Sequence, residues 1–215
     1  MTHNDEHSNE CASVERPSRL APPSGRSSSL SRAGLALWFG AMLLVCASLL
    51  AKHLVALPVP NLDAKLAASL STLRSPGAAN RWASVHVLYA ACRCSQNIVK
   101  HLLASSRPSG WDEVVLWVGP GEPDPALDAH FHVHRVNSAE LARLGIQAAP
   151  LLAVLDPSNH LRYVGGYSTR KQGPQIEDLR IFSEAQSASP LTGLPVFGCA
   201  VSERLRQQLS IVPGL

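Results

Sequence analysis

The sequence has no strong excess of charge of either sign. Among its 215 residues, 19 are Lys or Arg and 16 are Asp or Glu, which gives a formal net charge of +3. A charge this small and this evenly spread does not form the basic surface that nucleic acids attract. We therefore expect no nucleic-acid partner.

The sequence also lacks the motifs of common nucleotide and hydrolase sites. It contains no phosphate-binding glycine loop, no Gly-x-Ser-x-Gly motif and no pair of carboxylates in a supporting context. These absences argue against nucleotide-dependent and hydrolytic activities. No cofactor is expected.

Near its N-terminus the chain has a long run without charge, AGLALWFGAMLLVCASLLA (33–51). At about 1.5 Å per residue, a helix of this length nearly crosses a hydrocarbon core of about 30 Å. The alternatives are a cleaved signal peptide and a buried core helix. A core helix rarely lacks a polar face, and a signal peptide seldom follows so long an arm, so we predict a retained transmembrane anchor.

Basic residues are more frequent before this run than after it. Four precede it and two closely follow it: Arg16, Arg19, Arg26, Arg32, Lys52 and Lys65. The positive-inside rule therefore places residues 1–32, a Ser- and Pro-rich arm predicted to be disordered, in the cytoplasm. The rest of the chain would lie outside, where disulfides persist.

Composition divides the outer part of the chain into three segments. Residues 52–80 have few aromatics and predict a stalk with one short helix around 62–73. Residues 81–190 are predicted to form the folded domain. Residues 191–215 form a C-terminal extension that carries Cys199.

The folded domain alternates strand and helix patterns. Strands are predicted at 84–90, 112–119, 130–136, 151–156 and 161–167, and helices at 95–105, 138–145 and 175–186. Ser138 is the predicted N-cap of the second helix, and Gly145 its stop. This order predicts an α/β fold with a mixed sheet flanked by helices, mostly parallel and ending in an antiparallel hairpin.

Five cysteines are distributed unevenly over these segments. Cys11 lies in the arm and Cys46 in the apolar run, which leaves Cys92, Cys94 and Cys199 in the outer part. Three is an odd number, so at least one of these thiols should be free, transiently paired or bound to another group.

Cys92 and Cys94 lie where a predicted strand meets a predicted helix. Unpaired N–H groups at a helix N-terminus favour the thiolate, so at least one lowered thiol pKa is expected. A bent backbone allows a Cys-x-Cys disulfide, whose strained ring would raise its reduction potential. A redox pair, two metal ligands and two inert thiols remain the alternatives.

Two further motifs follow the strand–Cys–helix unit: GIQAAPLLAVLD (145–156) and YVGGY (163–167). In this order, the motifs resemble the thioredoxin superfamily over residues 81–187, and its membrane-anchored, redoxin-type members in particular. The resemblance implies a thioredoxin-like fold. It also implies that Cys92 is a solvent-facing nucleophile, Cys94 the resolving thiol and Pro150 a cis-proline, while the Ala149 backbone pairs with a bound substrate chain.

The activity implied by this resemblance is thiol–disulfide exchange with protein thiols or disulfides. The protein would be a single-pass oxidoreductase of the bacterial inner membrane, with its catalytic domain in the periplasm and a membrane protein as electron donor. Cys-Arg-Cys-Ser replaces the usual Cys-Gly-Pro-Cys, so the direction of electron transfer does not follow from the motif.

Several alternatives stay open at the level of sequence. Cys199 is either an inert thiol or a third redox cysteine folded back beside the other two. The three thiols could instead hold Cu(I), as in a metallochaperone-like protein, or be vestiges in an interaction module. His130, His132 and His134 would share one face of a strand, an alternative metal site, while His86 and His101 flank the cysteine motif.

Overall fold

The computed structural model describes residues 27–54, 56–171, 175–187 and 191–209, with side chains in the first helix described for residues 32–50. The arm predicted for residues 1–32 thus lies almost wholly outside the described residues. The chain divides into two compact units, of which the first ends at Ser48 and the second begins at Leu49.

Helix α1 (Ser27–Leu54) contains the charge-free run. Its stretch Arg32–Leu50 has a mean hydropathy of 2.2, and none of it is buried. Large apolar side chains such as Leu37 and Trp38 are exposed along it. Among the described residues this one helix is long and apolar enough to cross a membrane, a property that signal sequences share.

The second unit is built from a five-stranded sheet, a two-stranded sheet and six helices in the part of the chain that the structure describes. The strands are β1 (Trp82–Tyr89), β2 (Trp111–Val118), β3 (His132–Val136), β4 (Ala148–Ala149), β5 (Leu151–Leu155), β6 (Leu161–Gly165) and β7 (Cys199–Ala200). The helices are α2 (Ala64–Ser71), α3 (Arg93–Ala104), α4 (Pro125–His130), α5 (Ser138–Arg143), α6 (Asp178–Ala185) and α7 (Glu203–Leu209).

The large sheet has the strand order β3-β2-β1-β5-β6. Strands β1, β2 and β3 are parallel, whereas β5 runs antiparallel to both β1 and β6. The predicted α/β class and the mixed sheet flanked by helices are therefore confirmed. The five strands of this sheet lie within about two residues of the predicted ones, whereas β4 and β7 were not predicted.

Side chains on β1 alternate between two hydrophobic cores because successive residues of a strand point to opposite faces. Val85 and Val87 belong to the core that also contains Leu70 of α2. Leu88 belongs to the core formed with α3 and α6. Strand β1 is consequently buried on both faces, and its C-terminal end delivers the chain to the cysteine motif.

One predicted strand start and one predicted helix N-cap differ from the structure. His130 ends helix α4 rather than opening a strand, because Asp124 caps the helix and Pro125 occupies its first turn. Helix α5 is capped by Asn137 rather than Ser138, and Asn137 forms a capping box with Glu140. Gly145 follows this helix with a φ of +74°, as predicted for a stop.

The folded unit is also larger than the predicted domain of residues 81–190. Leu66 and Leu70, in the predicted stalk, are buried in the core beside Val196 and Val201 of the predicted extension. Leu57 donates a backbone hydrogen bond to the carbonyl of Val196 at 2.8 Å. Both segments that flank residues 81–190 therefore bury apolar side chains in the same core.

Candidate functional site

The turn between β1 and α3 holds the first two cysteines. Cys92 is the N-cap residue of α3 and Cys94 lies in its first turn. The Tyr89 N–H donates to the Ser95 hydroxyl at 3.0 Å, and the Gln96 side-chain amide donates to the Ala90 carbonyl at 3.0 Å. These two bonds tie the start of the helix to the end of the strand.

A second backbone segment lies against Cys92. The peptide bond between Ala149 and Pro150 is cis, as the resemblance implied. The Ala149 carbonyl oxygen lies 3.8 Å from Cys92 Sγ. Helix α5 and the turn at Gly145 lead the chain into this position.

The C-terminal segment completes the site. Strand β7 pairs antiparallel with β4, so that Ala149 is opposite Cys199. Gly198 permits this approach, since a Cβ there would overlap the Ala149 carbonyl and lie 2.6 Å from Pro150 Cδ. Cys199 is therefore the third cysteine of the site rather than a distant thiol.

The Ala149 backbone thus has an intramolecular partner. The resemblance reserves this edge for a substrate chain, but in the structure the chain's own strand β7 occupies it. Val196 and Val201 on either side of β7 are buried, which holds the segment in place. The sequence offered only the Gly-Cys pair as a sign of this contact.

The three thiols interact directly, and their pKa values separate as a result. Hydrogen bonds from the thiol of Cys199 and then from that of Cys94 lower the pKa of Cys92 far below its usual range. The same bonds, together with burial, raise the pKa values of Cys94 and Cys199. The directions of these shifts favour negative charge on Cys92 over negative charge on either neighbour.

Exposure of the cysteines is the reverse of what the resemblance implies. Cys92 has a relative exposure of 0%, so the expectation of a solvent-facing nucleophile is wrong in this state. Cys94 and Cys199 are half-buried. The physical reason is that the Ala149 segment and strand β7 lie against Cys92.

A pocket opens beside Cys94. Its walls are largely apolar and include Ile98, Pro150, Tyr167 and Phe197. Lys171 and Arg93 act on Cys94 from a distance, and their positive charge makes a small contribution that lowers its pKa. The sequence did not single out Tyr167 or Phe197, because only the fold brings them to the cysteine motif.

The alternative histidine site is not formed. His130 lies in α4, while His132 and His134 lie in β3 with ring centroids 4.4 Å apart. The Nε2 atom of His134 is 3.0 Å from the carbonyl oxygen of Leu73. Among the described residues, no group of three or more His, Cys, Asp or Glu side chains is arranged to hold a metal ion.

His86 and His101 belong to a buried polar network rather than to the cysteine site. Arg107 donates to Glu113 and to Asp178, and Asp178 lies 2.8 Å from His101 Nε2. The Nε2 atom of His86 lies 3.3 Å from Oε2 of Glu113. Burial disfavours the Glu113 carboxylate, but hydrogen bonds from His86 and Arg107 outweigh it and lower its pKa to about 2.

This network reaches the pocket through one side chain. The hydroxyl of Tyr167 lies 2.8 Å from His86 Nδ1, and Tyr167 also lines the pocket beside Cys94. Burial raises the pKa of Tyr167 well above its usual value, so it stays a neutral hydrogen-bonding group. The hydrogen bond to His86 therefore holds the Tyr167 side chain in place in the pocket wall.

Comparison with known proteins gives structural neighbours only. No family model matches the chain, and no curated protein does. One solved structure that matches is a hypothetical protein from Sinorhizobium meliloti 1021, with a TM-score of 0.47, 15% identity, and coverage of 61% of this chain and 82% of that chain. Another is an uncharacterized conserved protein from Geobacillus kaustophilus, with a TM-score of 0.45, 15% identity, and coverage of 57% and 77%.

Proposed function

We propose that this protein is a thiol–disulfide oxidoreductase with a thioredoxin-like fold. The observation that carries the proposal is the meeting of three cysteines from two distant segments: Cys92 and Cys94 lie at the start of α3, and β7 places Cys199 opposite Ala149, whose carbonyl oxygen lies 3.8 Å from Cys92 Sγ. A stabilised thiolate is the reactive form of cysteine in disulfide exchange. The cis bond before Pro150 beside the thiols is consistent with the thioredoxin-like order of elements.

Thiol–disulfide exchange needs at least two sulfurs within bonding reach of each other. Cys94 is two residues from Cys92 in the chain, and the pairing of β7 with β4 places Cys199 opposite Ala149, whose carbonyl oxygen lies 3.8 Å from Cys92 Sγ. Loss of two electrons and one proton from a site with one thiolate and two thiols would form one disulfide and leave one thiol. A buried, inert set of cysteines would not combine a depressed pKa with a half-exposed neighbour at a pocket.

The reduction potential of the site tests this proposal. The full-length chain, with Cys11 and Cys46 replaced by Ser, is equilibrated in glutathione buffers, quenched in acid, alkylated and mapped by mass spectrometry. We expect a two-electron couple with a potential above the thioredoxin value of about −270 mV, because the Cys92 thiolate stabilises the reduced form.

The matched control for this titration is the same chain with Cys92→Ser, which should show no such couple. Three thiols that stay free in every buffer would refute the oxidoreductase proposal. For the copper-binding alternative, no group of three or more His, Cys, Asp or Glu side chains is arranged to hold a metal ion among the described residues.

We further propose that helix α1 anchors the protein in the bacterial inner membrane, with the second unit in the periplasm. The support is the 19-residue apolar stretch and the four basic residues before it. The test is carbonate extraction of membranes, followed by protease treatment of spheroplasts. A chain that is released by carbonate, or that is protected from the protease, would contradict the anchor or its orientation.

A further inference from the structure

The three cysteines differ in which of them an outside molecule can reach. Cys94 lines the pocket, together with Asn97, Ile98 and Phe197. Cys92, by contrast, has a relative exposure of 0%. An incoming thiol can therefore reach Cys94 without any rearrangement, whereas Cys92 is closed to it.

In the structure, a peptide cannot reach Cys92 by adding a strand beside Ala149. A substrate that adds a strand to a sheet needs an unpaired backbone edge. The edge at Ala149 is already paired with Cys199, and moving strand β7 would expose Val196, Val201 and Leu205 to water. Strand β7 therefore blocks strand addition at Ala149, and a substrate reaches the cysteines through the pocket beside Cys94.

The third cysteine, Cys199, acts on the sulfur of Cys92. Strand pairing places Cys199 opposite Ala149, whose carbonyl oxygen lies 3.8 Å from Cys92 Sγ, and a hydrogen bond from the Cys199 thiol lowers the pKa of Cys92. A sulfur held in this way is a good leaving group, because disulfide exchange is faster when the departing thiolate is stabilised.

We infer that Cys94 is the sulfur that exchanges with outside thiols, that Cys92 departs as a thiolate held by the thiol of Cys199, and that the site works in the direction of thiol oxidation. This inference rests on the proposed function. Its substrate class is a thiol on a small molecule or on a flexible peptide that enters the pocket without pairing its backbone.

The reaction starts from a Cys92–Cys94 disulfide. A substrate thiolate attacks Cys94 Sγ, the substrate S–Cys94 bond forms, and the Cys92–Cys94 bond breaks with its electron pair on Cys92. A second substrate thiolate then attacks the substrate sulfur of the mixed disulfide. Substrate disulfide is released, Cys94 takes up a proton, and the protein is left reduced by two electrons.

An external disulfide would restore the oxidised site by the reverse exchange. The chemical class of oxidant needed for turnover is therefore a disulfide of higher potential. No metal or cofactor enters this balance.

A single-turnover trap tests the inference. The oxidised full-length chain, with Cys11 and Cys46 replaced by Ser, has its disulfide mapped, is mixed with reduced glutathione and is quenched in acid within the first turnover. We expect a Cys92–Cys94 bridge at the start, and glutathione on Cys94 with a free Cys92 in the trapped intermediate.

The possible outcomes separate the inference from the proposed function. Glutathione on Cys92 or Cys199, or a starting bridge between Cys92 and Cys199, would overturn the inference and leave the oxidoreductase function intact. A chain that forms no bridge at all would overturn both.

Two pairs of variants sharpen the test. Cys199→Ala should slow the attack by about tenfold, because a hydrogen bond to a charged group is lost, whereas Cys199→Ser keeps a donor and most of the rate. Asn97→Trp should obstruct the pocket and slow the attack by a similar factor, while Ala104→Trp, at an exposed site on the same helix, should not. An unchanged rate in Cys199→Ala or in Asn97→Trp would count against the inference.

Discussion

At the scale of single residues, the sulfur of Cys92 has a chemical environment different from that of its two neighbours. It is fully buried, yet hydrogen bonds from the thiols of Cys199 and Cys94 lower its pKa. Burial alone would raise the pKa of a thiol. The donors reverse that effect. They come from α3 and from strand β7, two segments that are far apart in the chain.

The lowered pKa of Cys92 makes the stability of the reduced protein depend on pH. Between the lowered pKa of Cys92 and about pH 8.5, the usual cysteine value, the unfolded chain holds up to one more proton than the folded chain, so stability rises with pH. We expect an added slope of up to about 1.4 kcal/mol per pH unit between about pH 5 and pH 8. Denaturant unfolding of the reduced chain at several pH values measures it.

The control for this experiment compares two Ser variants. Cys92→Ser should lose the added slope, whereas Cys46→Ser, at an exposed position in α1, should keep it. Raised pKa values at Cys94 and Cys199 leave these thiols protonated in both states over this range, so they do not cancel the effect. Equal slopes in the parent chain and in Cys92→Ser would show that Cys92 is not a thiolate in the folded state.

At the scale of secondary-structure elements, the site depends on three short segments meeting. Helix α3 supplies Cys92 and Cys94, strand β4 supplies Ala149, and strand β7 supplies Cys199. The two strands are only two residues long, so side-chain packing around them, rather than a long hydrogen-bond ladder, has to hold them together. Val196 and Val201 provide that packing.

The substitution Gly198→Ala tests this meeting point. The added Cβ would overlap the Ala149 carbonyl, so β7 should shift away from β4. We expect a loss of stability of about 1–3 kcal/mol, as for other overpacked sites, and faster alkylation of Cys92 in the native protein. Denaturant unfolding and timed alkylation with mass mapping measure the two effects.

Gly40→Ala is the matched control, since a Cβ at Gly40 would meet nothing within 4 Å. It should leave both the stability of the second unit and the alkylation rate of Cys92 unchanged. If Gly198→Ala behaves like this control, the close pairing of β7 with β4 is not what buries Cys92.

At the scale of the whole molecule, a buried ionic network joins parts that are distant in sequence. Arg107, from the loop after α3, connects Glu113 of β2 with Asp178 of α6. His101 and His86 complete the hydrogen bonding of the two carboxylates. The network links the sheet to α6 and, through Tyr167, to the wall of the pocket.

Arg107→Ala should strongly destabilise the second unit, because it leaves two buried carboxylates without their guanidinium partner. Breaking a buried pair in this way costs about 3–5 kcal/mol. The control is Arg135→Ala, which removes an exposed ion pair with Glu122 and should cost about 1 kcal/mol or less. Similar unfolding midpoints for the two variants would contradict a structural role for the network.

Much of this architecture could be predicted because it depends on local patterns. Alternating strands and helices, the cysteines at the β1–α3 junction and the apolar helix near the N-terminus all follow from hydrophobic periodicity and run length. Helix α4 was missed because six residues beside a Pro-rich loop carry too little periodicity. His130 was placed on a strand for the same reason.

The features that could not be predicted depend on contacts between residues far apart in the chain. The role of Leu70 and Val196 in one core, the pairing of Ala149 with Cys199 and the burial of Cys92 have no local signature. Sequence patterns determined the elements and the candidate sulfurs, since both reflect short-range preferences of the backbone and of thiol chemistry. Tertiary packing alone decided which sulfur is buried, which borders the pocket and which donates to the thiolate, because burial and hydrogen bonding arise only when those segments meet.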